Sequence, residues 1–321
     1  MGISILLLAI SCSKEKIGHL DPYLYYPQNP MTIMQGRPFE SFAINPNGST
    51  RPMHVELVHI YDKVTGKNMD DIFNQKFPLK IWTATYDHAT DTTLDMINAI
   101  RKIVDTPAIG IDLISGQLKA NYNSYHLPLG DYTFDVKISN VYGSTLYPKL
   151  GEFLLVSAPP YQKDPEIGSP YDKLYQVGNE SSVKSAKNPI ITIRRIADTP
   201  DVIIVKFVDK MGTAFNPKAG EIIKRPYPGN NPPQPYLQTM DDYAIKHVYT
   251  DTSMDFYYPV VPFPVRSLGN GYNYYYRVPT RYAHIDKFPD DLYSLNPRFV
   301  ARFFLPGAYE VTLQLPDVTH R

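Results

Sequence analysis

The sequence predicts an all-β chain of two β-sandwich domains in tandem, and three observations carry that expectation. Thirty prolines in 321 residues leave little room for long helices, because proline removes a backbone donor and clashes with the turn before it. Twenty-six tyrosines suit pleated, half-buried surfaces. Between the proline-rich breaks, apolar residues recur mostly at every second position, the period of a strand. The length suits two domains, and a hydrophobic content of 43% is enough for a core in each.

Charge and cysteine content narrow the partners. Thirty-two basic residues balance thirty-two acidic ones, so no basic face is implied and nucleic acid is excluded as an expected partner. Cys12 is the single cysteine. No disulfide is expected, and each domain must be stable by burial alone.

The chain opens with an apolar run, Ile3 to Ile10. It is too short for a membrane-spanning helix, which needs roughly 20 residues, but it has the length of a signal-peptide core. Ser11-Cys12 follows, and the sequence turns polar at Ser13-Lys14-Glu15-Lys16. This stretch resembles the lipobox of bacterial lipoproteins. The resemblance implies that residues 1–11 are a signal peptide, that the Cys12 thiol carries a diacylglyceryl group, and that the membrane is a partner through this anchor. Residues 12–30 are then a lipidated tether, in which Tyr23, Tyr25 and Tyr26 can pack onto the first domain.

The first domain is placed at residues 31–157. Pro52 to Tyr61 reads as a strand, with Val55, Leu57 and His59 on one face and His54, Glu56, Val58 and Ile60 on the other. Asp62 to Gly66 has turn composition, and Leu79 to Tyr86 alternates again. Leu94, Ile97, Ile100 and Val104 recur at helical spacing, which predicts one short helix over residues 92–104. Ile111 to Leu118 holds a Ser115-Gly116 turn between short strands. Leu127-Pro-Leu-Gly-Asp-Tyr-Thr-Phe-Asp-Val-Lys-Ile138 then alternates, with Tyr132, Phe134, Val136 and Ile138 facing in. Asn140 to Gly143 turns the chain into a last strand, 149–157. This pattern resembles the late strands of cadherin-like and other immunoglobulin-like sandwiches. The resemblance implies that fold and no activity; the acidic calcium ligands of true cadherin repeats are absent from the sequence.

Residues 158–166, Ala-Pro-Pro-Tyr-Gln-Lys-Asp-Pro-Glu, form a stiff proline-rich linker, and residues 167–321 the C-terminal sandwich. Pro189 to Arg194 and Asp201 to Val208 read as strands. The second is apolar on both faces and therefore central. Pro226 to Pro235 is an exposed loop. Residues 244–249, 254–261, 272–278 and 299–305 are further strand candidates. The closing Leu305-Pro-Gly-Ala-Tyr-Glu-Val-Thr-Leu-Gln-Leu315 echoes the first domain: leucine-proline, glycine, a tyrosine two residues later, then alternation.

Candidate chemistry is sparse. His54 and Glu56 share a strand face and His59 points to the other, so these three cannot converge on a metal from one segment. The pairs Asp70-Asp71, Asp241-Asp242 and Asp290-Asp291 suit turns and helix caps. Glycoside hydrolysis needs two carboxyl groups facing across a sugar, which adjacent aspartates do not supply. There is no nucleophile elbow, phosphate-cradling glycine loop or His-Glu-x-x-His segment. No catalytic residue, metal site or cofactor is expected. The aromatics carry more weight. Gly271-Tyr-Asn-Tyr-Tyr-Tyr-Arg277 puts Tyr272, Tyr274 and Tyr276 on one face and Tyr275 on the other. Tyr272, Tyr274, Tyr276, Tyr258 and Trp82 are the candidate ligand-binding residues, since exposed rings with a polar tip suit sugar faces or a protein interface. In the competing reading one tyrosine row is core, and Trp82 is a buried mid-sheet aromatic of the kind sandwiches hold.

The lipobox, the charged residues after it and the tyrosine- and proline-rich tandem sandwiches together resemble Bacteroidota outer-membrane lipoproteins, similar to the SusE-like accessory proteins of glycan-utilisation loci. The resemblance implies a non-catalytic, cell-surface, lipid-anchored protein that binds glycan beside an outer-membrane transporter complex. The alternatives are a structural or adhesive surface protein pairing with a protein partner, and, third, a glycoside hydrolase.

Overall fold

The computed structural model describes residues 19–163, 167–227 and 235–321. Cys12 and the rest of the apolar N-terminal segment lie outside the described residues, as do residues 164–166 of the linker and 228–234 of the Pro226–Pro235 loop. The described residues are all-β, with several sheets and two short α-helices, Asp70–Phe73 and Leu94–Ala99. Contacts divide it into two compact units. One takes the chain to Gln35 together with Phe39–Lys76 and Pro107–Ser157; the other takes Gly36–Pro38, Phe77–Thr106 and Ala158–Arg321.

In the first unit, a four-stranded sheet runs in the order Met31–Met34, Gly143–Val156, Gly130–Asn140, His54–Asp62. A three-stranded sheet joins Phe39–Glu40, Leu118–Ala120 and Ile109–Ile111. The expected inward row of Tyr132, Phe134, Val136 and Ile138 is buried throughout. Phe134 is fully buried because Gly151 lies beside it: a Cβ there would sit 2.1 Å from the Phe134 Cζ, so only glycine admits the ring. The Ser115-Gly116 turn forms as expected. Asp112 accepts from the Ile114 and Ser115 amides, and Gly116 takes a φ of 71° that favours glycine.

Three expectations need correction. Alternation placed Val55 and Ile60 on opposite faces of their strand, yet both are buried. The ladder pairs Leu57 with Val136 and His59 with Asp135. Val58 is therefore an extra residue, a β-bulge that turns the strand's second half over. The 92–104 helix stops at Ala99, and Arg101–Pro107 is a strand paired with Lys76–Trp82. Thr93 caps this helix, its side chain accepting from the Met96 amide at 3.3 Å. Of Tyr23, Tyr25 and Tyr26, expected to pack onto the first domain from the tether, only Tyr26 buries its ring. Leu24 and Tyr26 are buried, and the Tyr26 hydroxyl donates to the Gly116 carbonyl at 2.7 Å, whereas Tyr23 and Tyr25 stay exposed.

The second unit is built on two five-stranded sheets. One runs Asn179–Ser185, Tyr171–Gln176, Tyr293–Val300, Asn273–Arg277, Ile223–Lys224. The other runs Ile190–Ala197, Ala308–Gln314, Val202–Val208, Met254–Tyr257, Lys246–Tyr249, with Val202–Val208 in the centre as its two apolar faces predicted. Their facing sides share one core, in which Leu174, Tyr274, Tyr276 and Phe299 of the first sheet meet Ile203, Phe207, Tyr309 and Val311 of the second. The sequence echo has an atomic counterpart. The Tyr132 hydroxyl donates to the Pro128 carbonyl and the Tyr309 hydroxyl to the Leu305 carbonyl, both at 2.9 Å and both four residues upstream. In each unit a buried tyrosine thus ties the start of a core strand to the turn that feeds it.

Candidate functional site

The residues expected to bind ligand separate into two groups. Tyr274 and Tyr276 are fully buried and Tyr258 is 2% exposed. Their hydroxyls are spent inside the protein: Tyr274 donates to the Ala301 carbonyl at 3.0 Å and Tyr258 to the Gly307 carbonyl at 2.6 Å. The Tyr276 hydroxyl accepts from the Met240 amide at 3.1 Å and contacts the Asp241 carboxylate at 3.2 Å. Burial pushes the hydroxyls of Tyr274, Tyr276 and Tyr258 well above the usual phenol range. These rings present no face to a ligand. Tyr272 is half-buried, with the Arg302 guanidinium 4.8 Å from its ring centroid.

Trp82 goes the other way. It is 38% exposed, the opposite of a mid-sheet core aromatic. It is the last residue of a strand in a two-stranded ribbon, where alternation sends Phe77, Leu79 and Ile81 to the better-covered side. Its ring stacks on Tyr86, with centroids 5.1 Å apart and planes at 25°. The Arg101 guanidinium lies 5.5 Å from the indole centroid and is held by the Asn98 side chain at 2.6 Å and the Pro259 carbonyl at 2.9 Å.

Tyr86 continues from this stack into a cleft lined by His88, Tyr243, Phe263, Arg266 and Leu268. The loop after Tyr86 is closed by its own aspartates: the Asp91 carboxylate accepts from the Asp87 amide and the Asp87 carboxylate from the Ala89 amide. That closure places Asp87 and His88 within reach of Arg266, at 3.4 and 3.1 Å. Behind the floor of the cleft stand two of the buried tyrosines. Tyr258 stacks on Phe263 at 5.1 Å, and Tyr274 meets Tyr243 edge-on at 5.9 Å. They make the floor stiff without touching what lies on it. The result is an exposed aromatic stack beside an apolar cleft with a charged, hydrogen-bonding rim. The cleft itself holds only about 10 Å³, too little for a sugar, so a flat, partly apolar, hydroxyl-bearing ligand would have to lie on the exposed stack and the rim.

The other constellations resolve as local structure. His54 pairs with Glu56 at 3.3 Å and His59 with Asp70 at 2.7 Å, so the three do not converge. Asp242 caps a 3-10 turn through the Thr239 amide at 2.7 Å, and Asp290 and Asp291 pair with His284 and Arg321. Among the described residues no group of three or more His, Cys, Asp or Glu is placed to hold a metal ion. Nothing in the sequence singles out Tyr86, Arg101, Tyr243, Phe263 or Arg266 as site residues. No local pattern brings residues 86–88 to residues 259–268, so only the tertiary fold reveals the cleft.

Fold and site together define an all-β protein of stacked sheets with an aromatic-lined surface cleft in its second unit. No protein-family model matches the chain, and no curated protein matches it. Among solved structures it is similar to a SusE-like, surface-located polysaccharide-binding protein from the heparin utilisation locus of Bacteroides thetaiotaomicron. The identity is 9% and the TM-score 0.27, over 91% of this chain and 53% of that one. The chain thus spans about half the length of that structure.

Proposed function

We propose that the protein is a non-catalytic, cell-surface glycan-binding protein, with Trp82 and Tyr86 as its stacking platform and His88 and Arg266 as the hydrogen-bonding rim. The observation that carries this reading is the exposure of the chain's one tryptophan, stacked on a second ring and flanked by a cation. A sugar presents an apolar face of C–H groups to such a platform and its hydroxyls to the rim. Affinity electrophoresis of the full chain through gels carrying neutral polysaccharides tests it. Trp82→Ala should weaken retardation at least about tenfold, equivalent to about 1.4 kcal/mol, with an unchanged melting temperature. Wild-type retardation in that variant removes the platform.

The finer reading places the protein on the outer membrane through a lipid at Cys12, beside an uptake transporter, with both units as immunoglobulin-like sandwiches. The paired Tyr132 and Tyr309 hydrogen bonds support the last point, since such domains carry a tyrosine whose hydroxyl returns to the backbone just upstream. Several acyl chains at one cysteine anchor stably where a single chain would not. Palmitate labelling should disappear in Cys12→Ala; labelling that persists overturns the anchor. A second reading, pairing with a protein, draws on Leu94, Met96 and Ile103, which are exposed on the same excursion as Trp82. It requires that Trp82→Ala leave glycan retardation intact.

A further inference from the structure

On the sheet that carries Tyr171–Gln176, the side chains that alternate with buried Asp172 and Leu174 form a row of rings and cations. Arg298 stands opposite Tyr171 on one neighbouring strand and opposite Tyr275 on its other side. Its guanidinium lies 3.9 Å from the Tyr171 centroid and 5.7 Å from that of Tyr275. Arg225 reaches the same place from the adjoining segment, 4.3 Å from the Tyr175 centroid, with one nitrogen 3.3 Å from the Tyr171 hydroxyl. Two guanidinium groups therefore meet at one tyrosine, and Lys173 extends the positive charge, its ammonium 5.9 Å from the same ring.

Among the described residues this cluster holds no acid. Arg298 is held by the Ser169 carbonyl and hydroxyl, both at 2.7 Å, and Arg225 by the Tyr171 hydroxyl. Among the described residues neither pairs with a carboxylate, whereas neighbouring Arg277 has Glu180 at 2.6 Å. Arg225 is only 4% exposed, and its Nε has no hydrogen-bond partner. A buried guanidinium without a counter-charge is costly, and ring contacts offset that cost only in part. Guanidinium forks match the oxygens of sulfate and carboxylate groups, and the tyrosines beside them suit the sugar that would carry those groups.

We propose that Arg298 and Tyr171, reinforced by the charge of buried Arg225, form a binding site for a sulfate or carboxylate group of an acidic polysaccharide. The site shares no residue with the Trp82 cleft and has in common with that reading only the class of ligand. The full chain is run through gels containing dextran sulfate, polygalacturonate or neutral dextran. Wild type should be retarded by at least one acidic polymer more than by dextran, and the effect should fade as salt is raised. Arg298→Gln, at a partly exposed side chain that need not disturb folding, should reduce that retardation about tenfold. Arg298→Lys should recover part of it. Arg194→Gln, which removes one charge from an exposed arginine elsewhere, should leave it unchanged. Equal retardation of wild type and Arg298→Gln overturns the site, and so does an equal loss in Arg194→Gln. Stabilisation by sodium sulfate that is larger for wild type than for Arg298→Gln, without retardation by either polymer, assigns the site to a free anion and overturns the polysaccharide. If Trp82→Ala loses only neutral-polymer retardation and Arg298→Gln only the acidic part, both readings stand. Failure of either alone leaves the other intact.

Discussion

Replacing Tyr276 by alanine should destabilise the second unit by about 3–5 kcal/mol, the range for deleting a large, fully buried aromatic. The ring is completely inaccessible, 5.6 Å from Phe207 and 6.2 Å from Phe299, so its loss leaves a cavity between the two sheets. Its hydroxyl serves the Met240 amide and the Asp241 carboxylate, whose side chain is 2% exposed. Removing it also weakens the hydrogen bonding of two groups water cannot easily reach. Tyr276→Phe separates the two contributions: it keeps the ring and should cost about 1–3 kcal/mol. Urea denaturation of the three proteins reads both steps. A wild-type midpoint for Tyr276→Ala would contradict the burial described above. The same result bears on function, because a binding loss in this variant reports unfolding, whereas a loss in Trp82→Ala does not.

Stability should also depend on pH through Asp172. Its carboxyl is buried, neither oxygen makes a hydrogen bond of good geometry, and the pKa is raised well above the usual carboxylate range: burial raises it most, the nearby Asn296 amide pulls the other way, and the charge of Asp317 adds a smaller push. The folded state therefore holds its proton to higher pH than the unfolded chain does. Its contribution to stability is fully present below the unfolded pKa of about 3.9 and is lost as pH rises through the folded value, with a slope of up to about 1.4 kcal/mol per pH unit. Asp172→Asn cannot ionise. Urea midpoints measured from pH 4 to pH 8 should show the variant gaining steadily on wild type as pH rises, whatever fixed offset the amide introduces. A difference that does not change with pH would refute this.

Several features are legible in the sequence alone, because they depend on neighbours along the chain. The alternation from Tyr132 to Ile138 identifies a buried row. The doubly apolar Val202–Val208 is central. Asp112, Ser115 and Gly116 make their turn through contacts within five residues. The glycine-x-tyrosine echo forms equivalent hydrogen bonds in both units. Where local rules fail, a competing local rule or a distant partner is responsible. The strand Tyr293–Val300 contains Asn296-Pro297, a pair that reads as a turn, yet Pro297 sits in register with Asp172 inside a sheet. The bulge at Val58 arises from pairing with residues 135 and 136 and has no signature in its own segment.

The tyrosine run shows most clearly how local pattern and tertiary packing divide the work. Residue spacing alone puts Tyr274 and Tyr276 on one face and Tyr275 on the other, since a strand has a period of two. Stacking of the second sheet makes the first pair core and leaves Tyr275 beside Arg298 on the outer side. Exposure of Trp82 is settled the same way, by the width of the sheet it ends up in rather than by the residue. Alternation is a property of the backbone, fixed within a few residues. Which side is covered depends on elements distant in the chain, such as the strand that brings Phe207 onto Tyr276, and so does the closing of the cleft around Tyr86. The meeting of Arg225 with Tyr171 likewise joins segments far apart in the chain.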